Sequence, residues 1–466
     1  MDGWRAALSA HRLAATLKLA RGIVERTADE FDAHPDLLNT PNGVVDLRTG
    51  VVQPHEPSLL LTKITRGNYR QGYAHPDWQQ ALTALRDDAQ DWMQIRFGQG
   101  ITGHPTPDGV IPIMQGGGEN GKSSLSTDSL LLAFGDYASP ASPKLIADRG
   151  EHSTERADLR GQRLVIAEEL TEDRALNVTA LKQITDVSTI KARYVRQDNM
   201  TFAASHSLFV TTNYVPVVNE TDHGTWRRLA LVVFPYTYRK PGEPLKGDLD
   251  RHGDPRLKER LKAGTTGQHD AVVTWAVEGA KWWYANEKVF PPLPPSVDAD
   301  TREWRRQADR ILGFFDEHLV PDRTACILTT DLLLIFNERM NANGHKEWSQ
   351  ETFGSRFKAH PETTRHGITE SRPRNLKGLT VSRPPHLLAA EIPNRGRFYI
   401  GVRFRDHREA VESTDDHDEW SKRSNPLANT TQKPPYRDLA NRLDHLDQRP
   451  SSDTASEQEV ANDFLL

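Results

Sequence analysis

The residues best suited to chemistry lie in one stretch, Val110 to Ser124 (VIPIMQGGGENGKSS). Gly116, Gly121, Lys122 and Ser123 fit G-x-x-x-x-G-K-[ST], the pattern of a phosphate-binding loop, and Val110, Ile111, Ile113 and Met114 predict the strand that leads into it. The chemistry accounts for the residue types. Gly116, Gly117, Gly118 and Gly121 let the backbone curl around Glu119 and Asn120, so that successive N–H groups face a polyphosphate at the positive end of the next helix. Lys122 is placed for the β- and γ-phosphates and the Ser123 hydroxyl for Mg²⁺, with Ser124 beside it. Leu125, Leu130, Leu131, Leu132 and Phe134 continue the stretch as a helix. The alternative, a glycine-rich surface turn next to a chance Lys-Ser pair, leaves that agreement unexplained.

Four later segments carry partners for such a loop. Gln162–Leu170 (QRLVIAEEL) is an apolar strand ending in Glu168 and Glu169. Phosphoryl transfer needs one acid in the Mg²⁺ shell and another to orient or deprotonate water, and neighbouring strand residues point to opposite faces, so the two are expected to divide these roles. An exposed acidic strand end is the alternative. Ser205–Val218 is a third apolar strand whose end carries Asn213, a residue able to hold the attacking water near a γ-phosphate or simply to form a turn. Gly224–Phe234 places Arg227 and Arg228 before a fourth strand, either as surface charge or as a guanidinium for a neighbouring subunit's γ-phosphate. Thr189–Ala204 alternates as a hairpin does around Gln197-Asp198-Asn199, with Lys191, Arg193 and Arg196 crowding Tyr194. Basic residues interleaved with an aromatic suit a single-stranded nucleic acid, and equally a charged hairpin edge.

Flanking elements must position these groups. Residues 1 to about 35 have helical spacing, Gly43–Gln53 reads as two short strands, and Trp78 to about Phe97 returns to a helix: a helical lead-in or collar. Ala271–Glu287 is expected to be helical, and the proline cluster PPLPPS closes this part. Beyond it, Trp304–Leu319, Thr330–Met340 and a helix capped at Ser349-Gln350-Glu351 precede a basic stretch with Arg365, Arg372, Arg374 and Lys377, then Arg397–Gly401. Three helices and a β-wing describe a winged-helix module, expected to bind DNA; a small helical packing domain is the alternative.

At 466 residues the chain has room for two to four domains. Its single cysteine, Cys326, excludes a disulfide framework or cysteine zinc cluster. No apolar run is long enough for a membrane span and the start has no signal-peptide core, so a soluble cytoplasmic protein without a membrane partner is expected. The net charge of −5 hides an uneven distribution. From Asp406 onward there are 14 acidic and 7 basic residues, which predicts a largely disordered tail, whereas Arg356–Arg403 holds 10 basic and 3 acidic residues, a footprint for a polyanion. The final Asn462–Leu466 is read as a frayed end, with a docking peptide as the alternative.

GGGENGKSS, RLVIAEEL, LKQITDVSTIKARYVRQDNMTF, LFVTTNYVP and GTWRRLALVVFPY, in that order, resemble the superfamily III helicases of the phage and plasmid primase-helicase type, related to the poxvirus primase-helicase. The likeness spans about residues 30 to 380. It implies an α/β fold: a P-loop AAA+-like ATPase core (101–298) with a helical N-terminal domain (1–100), a winged-helix-like domain (299–405) and the acidic tail (406–466). It further implies a hexameric ring that binds ATP and Mg²⁺ between subunits and moves on single-stranded or forked DNA, with a separate primase or polymerase as partner in a bacterial host cell. Lys122 and Ser123 then match the Walker A pair, Glu168 or Glu169 the Walker B acids, Asn213 the polar sensor and Arg227 or Arg228 the arginine finger. The 191–199 hairpin matches the DNA-gripping loop and Lys182 a basic position before it. Asp186-Val187-Ser188 stands where the family has a Gly-Gly-Asp-like turn, which bears on the hairpin's geometry. Only about 75 residues precede the helicase-associated region, without clustered acids or a zinc module, so no primer synthesis is expected. Two other functions fit the loop: a P-loop phosphotransferase on a small acceptor, and an ATP-binding origin or loading protein without unwinding.

Overall fold

The apolar runs around the phosphate-loop pattern become strands of one sheet. The computed structural model describes residues 9–147, 153–170, 176–185, 187–194, 196–218, 223–373, 376, 378–387 and 396–405; the expected acidic tail, with its terminal Asn462–Leu466, lies outside the described residues. Leu37–Thr40 (β1), Gly43–Asp46 (β2) and Val52–Gln53 (β3) form a small antiparallel sheet. Ile111–Gln115 (β4), Ala138–Ala141 (β5), Leu164–Leu170 (β6), Ser207–Thr212 (β9) and Leu229–Val233 (β10) pair in parallel in the order β10-β4-β9-β6-β5. Thr189–Ala192 (β7) and Met200–Ala203 (β8) form a separate antiparallel hairpin between β6 and β9. The core is thus the α/β, P-loop AAA+-like arrangement, with the phosphate-loop strand flanked by the arginine strand and the asparagine strand.

Both faces of this sheet are covered, which is why β4 and β9 read as unbroken apolar runs. On one face Met114, Ile166, Phe209 and Val232 pack with the helices Asp87–Gly100 and Gln268–Ala285. On the other, Ile113, Val165, Val210 and Leu231 pack with Leu181, Ile190, Trp226 and Trp304. The two long helices meet backbone to backbone: a Cβ on Gly98 would lie 2.2 Å from the Ala280 nitrogen, and one on Gly279 2.1 Å from the Gln94 carbonyl oxygen.

Besides its helices the lead-in carries the expected pair of short strands, β2 and β3, and its core is continuous with that of the sheet. Leu38, Val45, Trp78 and Phe97 share one apolar cluster with Phe209 and Val277, and Phe97 stacks on Phe209 at 4.3 Å. Arg163, buried just ahead of β6, donates to the carbonyls of Leu37 (2.8 Å), His34 (3.1 Å) and Ile101 (3.1 Å), and burial holds its pKa below the ordinary value. The helix expected over Trp78–Phe97 is two helices, Pro76–Leu82 and Asp87–Gly100.

The helix expected over Trp304–Leu319 is also broken, at Asp309, whose carboxylate accepts the Ile311 and Leu312 N–H groups and so starts a new helix, Arg310–His318. Its predecessor, Pro295–Ala308, buries Val297 and Trp304 in the two apolar clusters that flank the parallel sheet. Short parallel strands Thr237–Arg239 (β11) and Asp250–His252 (β12) lie between β10 and the helix Gln268–Ala285. Leu319–Leu328 (β13) is a strand that the sequence reading missed. The helices Thr329–Ala342 and Gln350–Ala359 follow, the second capped by Ser349 as expected. Thr369–Ser371 (β14), Thr380–Val381 (β15) and Phe398–Phe404 (β16) complete a sheet in the order β14-β16-β13-β15 around Phe314, Phe336, Phe353 and Phe357. The order is thus helix, strand, two helices, a short helix Pro361–Arg365 and three strands.

Candidate nucleotide site and its two edges

The residues between β4 and the following helix adopt the conformations their types allow. Gly118 and Gly121 have φ of 100° and 80°, and Glu119 joins them at 49°. Nothing lies within 4 Å of where a Cβ on Gly117 or Gly118 would sit, so the loop is open on that side. At Gly116 a Cβ would lie 1.8 Å from the Asn120 amide nitrogen, which explains the glycine there. Asn120 is buried; its Oδ1 accepts the Lys122 N–H (3.2 Å), while its Nδ2 has no partner among the described residues. An open backbone cradle beside an orphan donor fits a polyphosphate.

Lys122, 6% exposed, already has work. Its Nζ donates to the carbonyls of Gly116 (3.1 Å) and Thr212 (2.6 Å) and to Asn213 Oδ1 (2.9 Å). Asn213 is the first residue past β9, and Gln115 Nε2 holds its carbonyl at 3.1 Å. The expected sensor thus touches the expected Walker lysine. Ser123 is exposed at the start of the helix and Ser124 half-buried. The helix runs from Lys122 to Phe134 with a π-helical stretch at Ser126–Leu130, where Ser126, Thr127 and Ser129 hydrogen-bond back to the carbonyls of Lys122, Ser123 and Ser124. Asp128, buried on this stretch, pairs with Lys262 (3.1 Å) and Lys258 (3.4 Å); no sequence pattern had flagged it.

Register aligns the acids with the loop. Gln115 of β4 pairs with Thr212 of β9, and Thr212 pairs with Leu170 of β6. Ala167 pairs with Val210, so Glu168 and Glu169 fall in a bulge against one β9 residue, and the simple alternation expected for adjacent strand residues does not hold. Half-buried Glu168 lines a cavity of about 430 Å³ with Thr127 and Leu131, on the loop-helix side of the sheet. Ser123 does not line this cavity. The Glu169 side chain lies outside what is described.

The arginines sit at the far end. Arg228 is buried and donates to the Gly224 carbonyl, whereas Arg227 is exposed. Both precede β10, whose first residue pairs with the first residue of β4, while the phosphate loop follows the last. Five residues at about 3.3 Å each put roughly 15 Å between Arg227 and its own loop. Arg227 lines a groove of about 360 Å³ with Arg302, Arg305 and Asp298.

The β7–β8 hairpin forms although Asp186 of its leading turn lies outside the described residues; Lys191 pairs with Thr201. Ile190 and Ala192 point into the core, and Lys191, Arg193 and Arg196 are exposed. Tyr194 is not presented with them. It packs against the second core cluster, with its hydroxyl on the Ala157 carbonyl at 3.3 Å. Lys182 lies half-buried on the helix Val178–Thr185 before the hairpin. In the C-terminal module Arg372 is exposed and lines a groove with Gln350, Lys358 and Arg397; Arg374 and Lys377 lie outside the described residues.

Residues 4–85 match the family model described as "D5 N terminal like", and residues 114–228 one described as "Family of unknown function (DUF5906)". The putative primase C962R of African swine fever virus (isolate Warthog/Namibia/Wart80/1980) is 23% identical over 401 residues, covering 80% of this chain and 40% of the relative. The putative helicase L207/L206 of Acanthamoeba polyphaga mimivirus is 23% identical over 326 residues, covering 64% and 33%. The putative helicase 022R of Frog virus 3 is 26% identical over 247 residues, covering 51% and 25%. The chain thus spans well under half the length of these curated relatives. Among solved structures, the apo NrS-1 C-terminal region overlaps 84% of this chain and 90% of its own at 10% identity, with a TM-score of 0.43, too low to bear on the fold. The chain is a relative of the superfamily III primase-helicases. Among the described residues, no helix is long and apolar enough to cross a membrane.

Proposed function

We propose that this chain is an ATP-hydrolysing DNA helicase motor of a phage, prophage or plasmid replication system, with its active site completed between neighbouring subunits of a ring. The observation that carries this is the position of Arg227, exposed and a strand's length away from its own phosphate loop. An arginine so placed cannot serve its own γ-phosphate, but it can serve the loop of the next subunit, where a guanidinium stabilises charge spread over the transferring phosphoryl group. Arg228 is spent on the Gly224 carbonyl and has a structural role.

Each group then has a task. The backbone N–H groups of Gly116–Gly121 cradle the phosphates, and Lys122 exchanges its protein oxygens for the β- and γ-phosphates. Asn213, in contact with that lysine, senses the exchange and helps hold the attacking water. Glu169 orients or deprotonates that water. Ser123 and Glu168 would hold Mg²⁺, which would supply neutralisation of phosphate charge. Lys191, Arg193 and Arg196 at the exposed hairpin grip single-stranded DNA through its backbone, and Arg372 with its neighbours offers a second basic surface. A separate primase or polymerase remains the expected partner.

Mixing two inactive variants tests the shared site. Lys122→Ala and Arg227→Ala should each abolish turnover with the ring intact, and an equimolar mixture should regain it, because some interfaces then pair an intact loop with an intact arginine. A mixture that stays inactive would refute the shared site. Turnover linear in protein concentration and indifferent to single-stranded DNA would instead favour a phosphotransferase.

A further inference from the structure

We infer that Trp304 is a positioning residue that ties the state of a subunit's own phosphate loop to the arginine which that subunit offers its neighbour; the inference rests on the shared-site reading. The two places lie at opposite ends of the sheet, and a continuous set of contacts joins them. Lys122 Nζ reaches Asn213 Oδ1 at 2.9 Å, and three residues beyond Asn213 the Pro216 carbonyl accepts the Trp304 Nε1–H at 2.9 Å. The Trp304 ring, 2% exposed, meets Trp226 edge to face, with centroids 5.1 Å apart at 80°. Trp226 is bonded directly to Arg227 in the chain.

The helix carrying Trp304 is fixed to the arginine strand as well. Its Thr301 Oγ1 accepts the Leu231 N–H from the open edge of β10 at 2.9 Å, and Arg302 and Arg305 line the same groove as Arg227. The segment after Asn213 is held mainly at its two ends, where Thr212 Oγ1 accepts the Tyr214 N–H at 3.2 Å and the Val217 carbonyl accepts the Leu176 N–H at 2.8 Å. Tyr214, Val215 and Val217 are 49%, 41% and 47% exposed, while Pro216 and Val218 are buried. This segment is the natural moving part. When Lys122 leaves Asn213 for a phosphate, the segment loses one of its ties to the loop and keeps that of Gln115 to the Asn213 carbonyl, and the Pro216 carbonyl is the handle by which its position is felt at Trp304. An indole suits that place because it combines an N–H donor with a large face for Trp226. Phenylalanine keeps the face and loses the handle. Spatial continuity alone does not prove coupling, so the test must read coupling directly.

The experiment uses the full chain. For wild type and Trp304→Phe, turnover is measured against MgATP concentration at a protein concentration where the ring is assembled, alongside titration with a fluorescent ADP analogue and sedimentation. The wild type should turn over cooperatively. Trp304→Phe should drop to a Hill coefficient near 1, with ADP affinity within about twofold and sedimentation unchanged, as expected when a coupling of about fivefold is removed. Trp226→Leu, which cuts the same path at its next contact, should give the same loss and serves if Trp304→Phe does not fold. A wild-type Hill coefficient in both variants, with rings intact, would overturn the inference and leave the shared-site reading standing. Loss of ring or of ADP affinity in step with cooperativity would also overturn it, since Trp304 would then be plain core. A wild type that is monomeric and hyperbolic would remove the shared-site reading and the inference together.

Discussion

Asn213→Ala should tighten nucleotide binding while slowing turnover, a combination that a simple damaged-site account does not produce. Asn213 Oδ1, with the Gly116 and Thr212 carbonyl oxygens, lies within 3.1 Å of the Lys122 ammonium. A lysine has three donor hydrogens, so a phosphate oxygen must displace at least one of these partners. A hydrogen bond to a charged donor is worth about 1.5–3 kcal/mol net, but Asn213 is exposed and water competes for it, so about 1 kcal/mol is the fitting figure. Removing that restraint should lower the dissociation constant for MgADP about fivefold. Turnover should fall, because the same amide is expected to hold the attacking water. Calorimetric titration with MgADP and steady-state hydrolysis of MgATP read the two effects separately. Unchanged or weaker MgADP binding would refute the reasoning, since it would mean that Lys122 keeps Asn213 as a partner when phosphate is present.

Arg163→Met should cost at least about 3 kcal/mol, read from the urea midpoint, because it strips a buried donor from the carbonyls of His34, Leu37 and Ile101; a loss below about 1 kcal/mol would show that these carbonyls find other partners. Gly279→Ala should cost about 2 kcal/mol of stability or more, seen as a lower thermal midpoint, since its Cβ would lie 2.1 Å from the Gln94 carbonyl oxygen, while Gly22→Ala, with nothing within 4 Å on an exposed helix, should be neutral or stabilising by about 1 kcal/mol. His206 is buried, and desolvation pushes its pKa down to about 4, so it stays neutral in the fold while the unfolded chain takes up a proton below about 6.5. Its contribution is therefore present above that pH and lost as pH falls toward 4. Urea midpoints for wild type should drop over this window by more than those of His206→Leu, and identical pH slopes would count against it.

The phosphate loop was legible because its residue types are forced locally: glycines take left-handed conformations at 118 and 121, and a lysine and serine follow at fixed offsets. The strand ends carrying Glu168 and Asn213 were legible for a related reason, since parallel strands buried on both faces must be apolar until they reach the site. What escaped was set by distant partners. β13 carries Pro321, Asp322 and Arg323 and reads as a loop, and only pairing with β16, some 80 residues on, makes it a strand. The lead-in looked like a separate collar because the glycine contact that welds Asp87–Gly100 to Gln268–Ala285 joins residues nearly 200 apart.

The arginines make the same point about function. Arg227 and Arg228 are identical in type and adjacent, so composition cannot rank them, and the alternatives for the site follow from that tie. Packing breaks it. Trp226 turns inward onto Trp304, and the chain then enters β10 with Arg228 folded under the Gly224 carbonyl, which leaves Arg227 facing out. Outward is also away from its own loop, because β10 runs parallel to β4 and the two ends of a parallel strand face opposite edges of the sheet. On the shared-site proposal, the cradle at one edge and the arginine at the other are two halves of one site that a single chain does not close upon itself. That proposal calls for a second copy related by rotation, and repetition of such a head-to-tail contact would give a ring when the rotation closes. The complementation between Lys122→Ala and Arg227→Ala is therefore a test of sheet topology as much as of catalysis.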